Sequence, residues 1–245
     1  MTFVSLLFGS PRSALGLLLV AGAVAAQPAG GGPSSPTGSV GKIFADGLEK
    51  LGILFRGIGS LAGGPSAGAV WRVDVSTGNR RRIGDVDDLA WPVPSPDGAA
   101  ILALRGRQVV RITIADGRED PVGAPASWRK LLGVHPNGTV LGFVDDDPRP
   151  RPALLAPDGA RMELPPPADD KERARNGILL QEAREYADGV RLEVQDSERG
   201  QRGRDVFLID GVGQRNLTDC GDDFCGQPSR SQDGVSVFYV RAPAP

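Results

Sequence analysis

The chain has 245 residues, a net charge of −2, 24% charged residues and only 5% aromatic residues. That balance favours neither nucleic acid nor an anionic membrane surface as a partner. Two cysteines and one histidine exclude a cysteine- or histidine-rich zinc site.

In chain order, residues 1–26 read as a secretory signal peptide. Arg12 precedes the short apolar run SALGLLLVAGAVAA, and small residues at Ala23 to Ala26 suit cleavage; the alternative is an uncleaved anchor. Residues 27–40 form a Gly/Pro/Ser-rich flexible linker without apolar periodicity. Residues 41–245 are long enough for one domain with its own core. No later segment is apolar over a membrane-spanning length, so the processed chain is expected not to span a bilayer. Phe44, Leu48 and Leu51 stand at helical spacing within Ser39 to Gly52, although Gly47 weakens that helix.

Beyond this point the sequence repeats. Glycines that close turns fall at 78, 98, 117, 138, 159, 189, 211 and 234, mostly as Asp-Gly or Asn-Gly. Such pairs between apolar runs signal hairpins, because both central positions tolerate positive φ. The turns alternate between two kinds. One leads straight into an apolar strand, as in DGAAILAL and DGVSVFYV; the other follows one, as in QVVRITIADG and DVFLIDG. Two hairpins make a four-stranded unit of about 40–50 residues, the length of a propeller blade. A β-sandwich with frequent tight turns is the competing all-β architecture.

Two stretches carry a family resemblance. Leu208-Ile209-Asp210-Gly211, then Asn216-Leu217-Thr218, then Pro228 to Gly234 and the strand Val235 to Val240 make one full repeat; Trp91 to Gly98 begins another. These resemble the repeats of TolB-like, WD-repeat-like propellers, over roughly residues 50–242 and more loosely between 148 and 203. The resemblance implies an all-β propeller of about four to five four-stranded blades. Strands 51–57, 69–75 and 79–84 supply b, c and d of a first blade, lettered outward from the hub. Complete blades follow at 89–123, 130–165 and 178–219, and 224–242 adds strands a and b. Pairing the two ends closes a four-bladed ring with one surplus strand. Left unpaired, they give an open arc whose edges invite a second copy, hence a homodimer.

Cys220 and Cys225 are expected to form a local disulfide in an exported chain. Gly57 to Ala62 matches a dinucleotide fingerprint, but another strand follows where that chemistry needs a helix. Gly64 to Gly68 matches a nucleophile elbow, but Ser66 stands between strands and the sole base, His135, falls in a turn. Asp87 and Asp88, with Asp222 and Asp223, fall in links between blades. Calcium favours such oxygens, yet the spacing is not that of a calcium loop, so no cofactor is expected. Trp91 and Trp128 join these aspartates on a candidate interaction face. Glu182, Arg184 and Glu185 are the best polar candidates on an inner strand, and read equally as a solvated run.

The reading is a non-catalytic, periplasmic or secreted propeller that binds protein partners of the bacterial envelope as a scaffold. The alternatives are a degenerate propeller hydrolase or lyase, or a secreted propeller for carbohydrate or another small ligand.

Overall fold

The computed structural model describes residues 53–54, 67–145, 150–165, 168–179, 184–198 and 202–244. The expected leader, linker, first helix and dinucleotide-like stretch lie outside these residues.

Where the sequence alternates apolar runs with Asp-Gly turns, the chain forms antiparallel four-stranded sheets. The first is β4 (Leu89–Pro94), β5 (Ala100–Arg105), β6 (Gln108–Thr113) and β7 (Glu119–Val122). The second is β8 (Trp128–Val134), β9 (Val140–Val144), β10 (Arg151–Leu155) and β11 (Arg161–Glu163). The third is β12 (Arg184–Tyr186), β13 (Arg191–Asp196), β14 (Arg204–Ile209) and β15 (Gln214–Asn216). Gly98, Gly138, Gly189 and Gly234, which follow the inner strands, have φ of 67°, 85°, 81° and 75°, a region open to glycine at little cost.

The fourth sheet joins distant parts of the chain. β16 (Phe224–Arg230) and β17 (Ser236–Ala242) are its inner strands, while β2 (Ala69–Asp74) and β3 (Arg80–Ile83) are its outer ones. β17 pairs with β2 over six positions, from Ser236 opposite Asp74 to Arg241 opposite Ala69. Late strands therefore complete a blade begun by early ones. The inner strands of the four blades share one hub, and the described residues form a closed four-bladed β-propeller in which β14 also pairs parallel with β16 at Arg204 and Phe224. Among the described residues the ring closes and the open arc does not form.

The surplus strand lies elsewhere than expected. β1 (Ile53–Leu54) is not strand b of a blade; it pairs antiparallel with β12, on the inner edge of the third sheet. One element was not anticipated. A helix, α1 (Asp170–Leu179), joins the second blade to the third. Asp169 caps it by accepting the Glu172 N–H at 2.7 Å, and Glu172 accepts the Ala168 N–H at 2.8 Å. This reciprocal pairing satisfies amide groups that a helix start otherwise leaves open.

Facing sheets bury aliphatic clusters between them. Val93, Leu102 and Leu104 meet Leu131, Val140 and Leu155 between the first and second blades. Leu192, Val194 and Val206 meet Val237, Tyr239 and Cys225 between the third and fourth. Val70, Ile83 and Phe238 meet Ile101, Val110 and Ile112 between the fourth and first. Among the described residues no helix is long and apolar enough to cross a membrane.

Cys220 and Cys225 are bonded, closing a loop of separation five beside the start of β16. A loop this small gives about 2 kcal/mol on the chain-entropy account. Replacing both cysteines by alanine is therefore expected to lower Tm by about 4–8 °C, measured by calorimetry. An unchanged Tm would show that the bond adds nothing to folded stability.

Candidate functional site

The four inner hairpins are built alike, although their side chains differ. Ser95 Oγ accepts the Ala100 N–H at 3.0 Å and lies 2.5 Å from Asp97 Oδ1, which itself accepts the Ala99 N–H. Ser231 repeats this, accepting the Ser236 N–H at 2.9 Å with Asp233 Oδ1 at 2.6 Å. His135 and Asn137 take the same places in the second blade, 2.7 Å apart. Tyr186 and Asp188 take them in the third, Asp188 accepting the Val190 N–H. The serine hydroxyls are the leading cause that holds the Asp97 and Asp233 carboxyls below their ordinary value. So the serine and aspartate of each Pro-x-x-Ser-x-Asp-Gly stretch lock the turn that ends an inner strand.

No protein-family model matches the chain, and no curated protein matches it. Several solved structures resemble it. A protein described as TolB from Agrobacterium tumefaciens is 17% identical at a TM-score of 0.38, the match covering 69% of this chain and 60% of that one. The β-propeller domain of the Trilobed protease from Pyrococcus furiosus is 12% identical at a TM-score of 0.29, covering 74% and 79%. Oligogalacturonate lyase in complex with manganese is 15% identical at a TM-score of 0.29, covering 67% and 50%. The chain thus spans 60% of the TolB protein and half of the lyase. At such identities the likeness concerns fold alone, and proteins of different activities share it.

These turns surround the mouth of a cavity of about 240 Å³ at the hub. Every inner strand reaches it, and its two halves differ. The first and second blades contribute Val93, Pro94, Pro96, Leu132, Val134 and Pro136, a largely apolar wall in which Ser95 is the one polar side chain. The third and fourth contribute Arg184, Tyr186, Asp188, Ser229, Arg230 and Ser231, which make a polar one.

Arg184 and Glu185 are not a solvated run. Arg184 is 5% exposed, and its Nη1 and Nη2 donate to the carbonyls of Leu132 and Leu131 at 2.6 and 3.0 Å. The β-bulge between Leu131 and Gly133 interrupts the register of β8 where those carbonyls lie. Arg184 thereby fastens the third blade to the second. Its Nε has no hydrogen-bond partner among the described residues. Burial lowers its affinity for the proton, and the nearby Tyr186 partly offsets this. Glu185 is buried too, while Glu182 lies outside the described residues.

Arg230 lies beside it. Its Nη1 is 2.5 Å from Asp188 Oδ2, its guanidinium is 5.6 Å from the Tyr186 ring centroid, and its Nε is buried without a partner. Tyr186 Oη accepts the Arg230 N–H at 3.0 Å, and burial is the main cause that pushes the phenol upward. Asp188 is held low: burial raises it, but the hydrogen bonds from Arg230 and Val190 outweigh that.

Further along the hub the channel is occupied. Trp91 has φ of 51° and Gln227 has φ of 54°, both rare for such residues. The Trp91 N–H donates to Gln227 Oε1 at 2.6 Å, and Ser229 Oγ lies 2.5 Å from the Pro92 carbonyl. The Lys130 ammonium sits 4.4 Å over the Trp91 ring. Trp91 is thus a half-buried hub residue.

Of the residues expected on one interaction face, the four aspartates stand at the starts of inner strands, whereas Trp128 is buried. Trp128 is 4% exposed and packs between the first and second blades, because its place at the start of β8 turns the ring inward. Asp87 and Asp88 precede β4 and pair with Arg82 and Arg105; Asp223 precedes β16 and pairs with Arg241. Asp222 is exposed beside it. These aspartates lie at the ends of the inner strands away from the cavity. Among the described residues no three acidic, cysteine or histidine side chains converge as a metal site would need. Gly68 exchanges backbone hydrogen bonds with Leu89 and leads directly into β2, so the elbow-like stretch opens a strand and not a helix.

Proposed function

We propose that this protein is a non-catalytic binding propeller of the bacterial envelope, and that it recognises its partner with the hub face ringed by the four inner turns. The observation that carries this reading is the cavity itself, apolar on one side and polar on the other, opening among turns that are locked by their own hydrogen bonds. A rigid, concave, mixed surface of this kind suits recognition. Asp188 in its lining, and Asp97 and Asp233 in the neighbouring turns, are held low and committed to turn amides, serine hydroxyls or arginine, whereas acid–base catalysis wants a group poised near neutrality. The leader-like start and the Cys220–Cys225 bond support export into an oxidising compartment.

The test is affinity capture from envelope extract with two charge-altered forms beside the natural protein. Gln232→Glu with Pro136→Asp, on the turn face, is expected to abolish retention of a specific protein. Asp87→Lys with Asp88→Lys, at the other end, is expected to leave it intact. Retention indifferent to the turn-face pair, or no retained protein at all, would overturn the assignment.

A further inference from the structure

The hub carries a strand that belongs to none of the four-stranded blades. Among the described residues the inner strands β4 and β8 end their sheets, whereas β12 carries β1 on its hub side. The register fixes how β1 is held. The Tyr186 N–H donates to the Val190 carbonyl at 2.8 Å, and the Tyr186 carbonyl accepts the Gly189 N–H at 2.9 Å, so both point toward β13. Successive residues of a strand turn these groups to opposite edges, so the N–H and carbonyl of Glu185 point toward the hub, where Leu54 stands opposite. Glu185 is buried, and backbone groups in such a place need partners. One hydrogen-bonded pair, Leu54 with Glu185, therefore holds β1, against the six-position ladder that joins β17 to β2. A strand held by so little is readily exchanged for another. A residue opposite Tyr186 shares its side of the sheet. Tyr186 lines the cavity of about 240 Å³, roughly eight waters in volume and room for one large side chain. Val93, Leu132, Val134 and three prolines wall that space and favour an apolar one.

We propose that the inner edge of β12 is the docking edge for an extended partner peptide, which displaces β1, pairs with Glu185 and puts a large apolar side chain into the cavity beside Tyr186. The seated β1 is the sign that an extended strand fits this edge. Main-chain bonds supply the hold and the cavity supplies the selectivity, the division of labour in strand addition generally. This rests on the reading of the hub as the recognition surface. It adds the form of the partner and a control on it, since the chain's own strand competes for the edge.

Fluorescence anisotropy on the whole purified protein tests this, with a labelled peptide of residues 49–58, EKLGILFRGI, as the probe. Leu54→Pro in the full chain removes the N–H that the Glu185 carbonyl accepts. That variant is expected to bind the probe at least tenfold more tightly than the natural chain, because its own strand no longer competes. Leu54→Pro in the probe is expected to weaken its binding to the natural chain at least tenfold, a comparison that needs no variant protein. Ile53→Asp in the probe, at the place opposite Tyr186, is expected to weaken it at least tenfold as well. Equal binding by the natural and Leu54→Pro chains, equal binding of the plain and proline probes, or no binding by either chain would each overturn the proposal. A protein captured on the turn face while the probe binds neither chain would leave the recognition reading standing and remove only this one.

Discussion

A chain lacking Ser236–Ala242 is expected not to fold at all, rather than to fold as a shortened propeller. Val237, Phe238, Tyr239 and Val240 of β17 are each fully or almost fully buried, and they reach two of the inter-blade clusters. Burying one large apolar side chain is worth about 1.5–3 kcal/mol, so four amount to about 6–12 kcal/mol. A whole domain is stable by about 5–15 kcal/mol. The deletion also strips β2 and β16 of a hydrogen-bonding neighbour and opens the fourth sheet. Urea titration followed by circular dichroism should show no cooperative transition in the deleted chain. A transition with the slope of the intact protein would mean that the ring does not depend on this closure.

The single substitution with the largest expected effect is Asp205→Ala. Asp205 is almost fully buried and accepts from Thr218 Oγ at 2.9 Å, from the Cys220 N–H at 2.6 Å and from Asn216 Nδ2 at 3.0 Å. Thr218 Oγ in turn accepts the Val206 N–H. The Asn-Leu-Thr element of the repeat is therefore a clasp, which binds the outer end of the third blade to an aspartate on β14 and leads into the disulfide loop. Removing the carboxylate orphans several buried donors and is expected to cost about 4 kcal/mol. That is about 8–16 °C in Tm.

The pH dependence of this clasp follows from the direction of its shift. Burial raises the Asp205 carboxyl, but the hydrogen bonds from Cys220, Thr218, Asn216 and Ser197 outweigh it and hold the group below its ordinary value. Its contribution is thus complete above the ordinary carboxylate value and is lost as pH falls through the lower, folded one. Asp205→Asn should be less stable than the natural protein at neutral pH, and the gap should narrow as pH falls below the ordinary carboxylate value. A gap that stays constant across that range would show that the charge of Asp205 contributes nothing.

Particular residues show what the sequence could report. The turn glycines were legible because positive φ, which all of them but Gly211 adopt, is a local demand that Asp-Gly meets by itself, and the blades at 89–123, 130–165 and 178–219 followed from them. Ring closure was legible only as one of two options, since strand lettering does not say whether β17 will find β2. Helix α1 carried a readable start in Asp169 and Glu172, but the proline run before it and Gly177 within it masked the signal. Arg184 shows the deeper limit. Its charge was visible, whereas its burial depends on carbonyls of Leu131 and Leu132 more than 50 residues away, which only the assembled hub supplies. Trp128 failed the other way: an aromatic near a blade edge looks exposed until the neighbouring sheet covers it. Asp205 gave no signal of its own, because Asn216, Thr218 and Cys220 lie 11 to 15 residues downstream across a turn.

The strand exchange that completes the fourth blade also sets a clock. Arg72 donates to Ser236 across 164 residues of chain. At roughly 5–20 residues per second, β2 waits about 10–30 s after its own synthesis before its partner exists. Contacts this distant in sequence slow folding, and until they form the early strands present unpaired edges. The propeller is therefore finished from its last strand, and a chain still being made is a chain not yet folded.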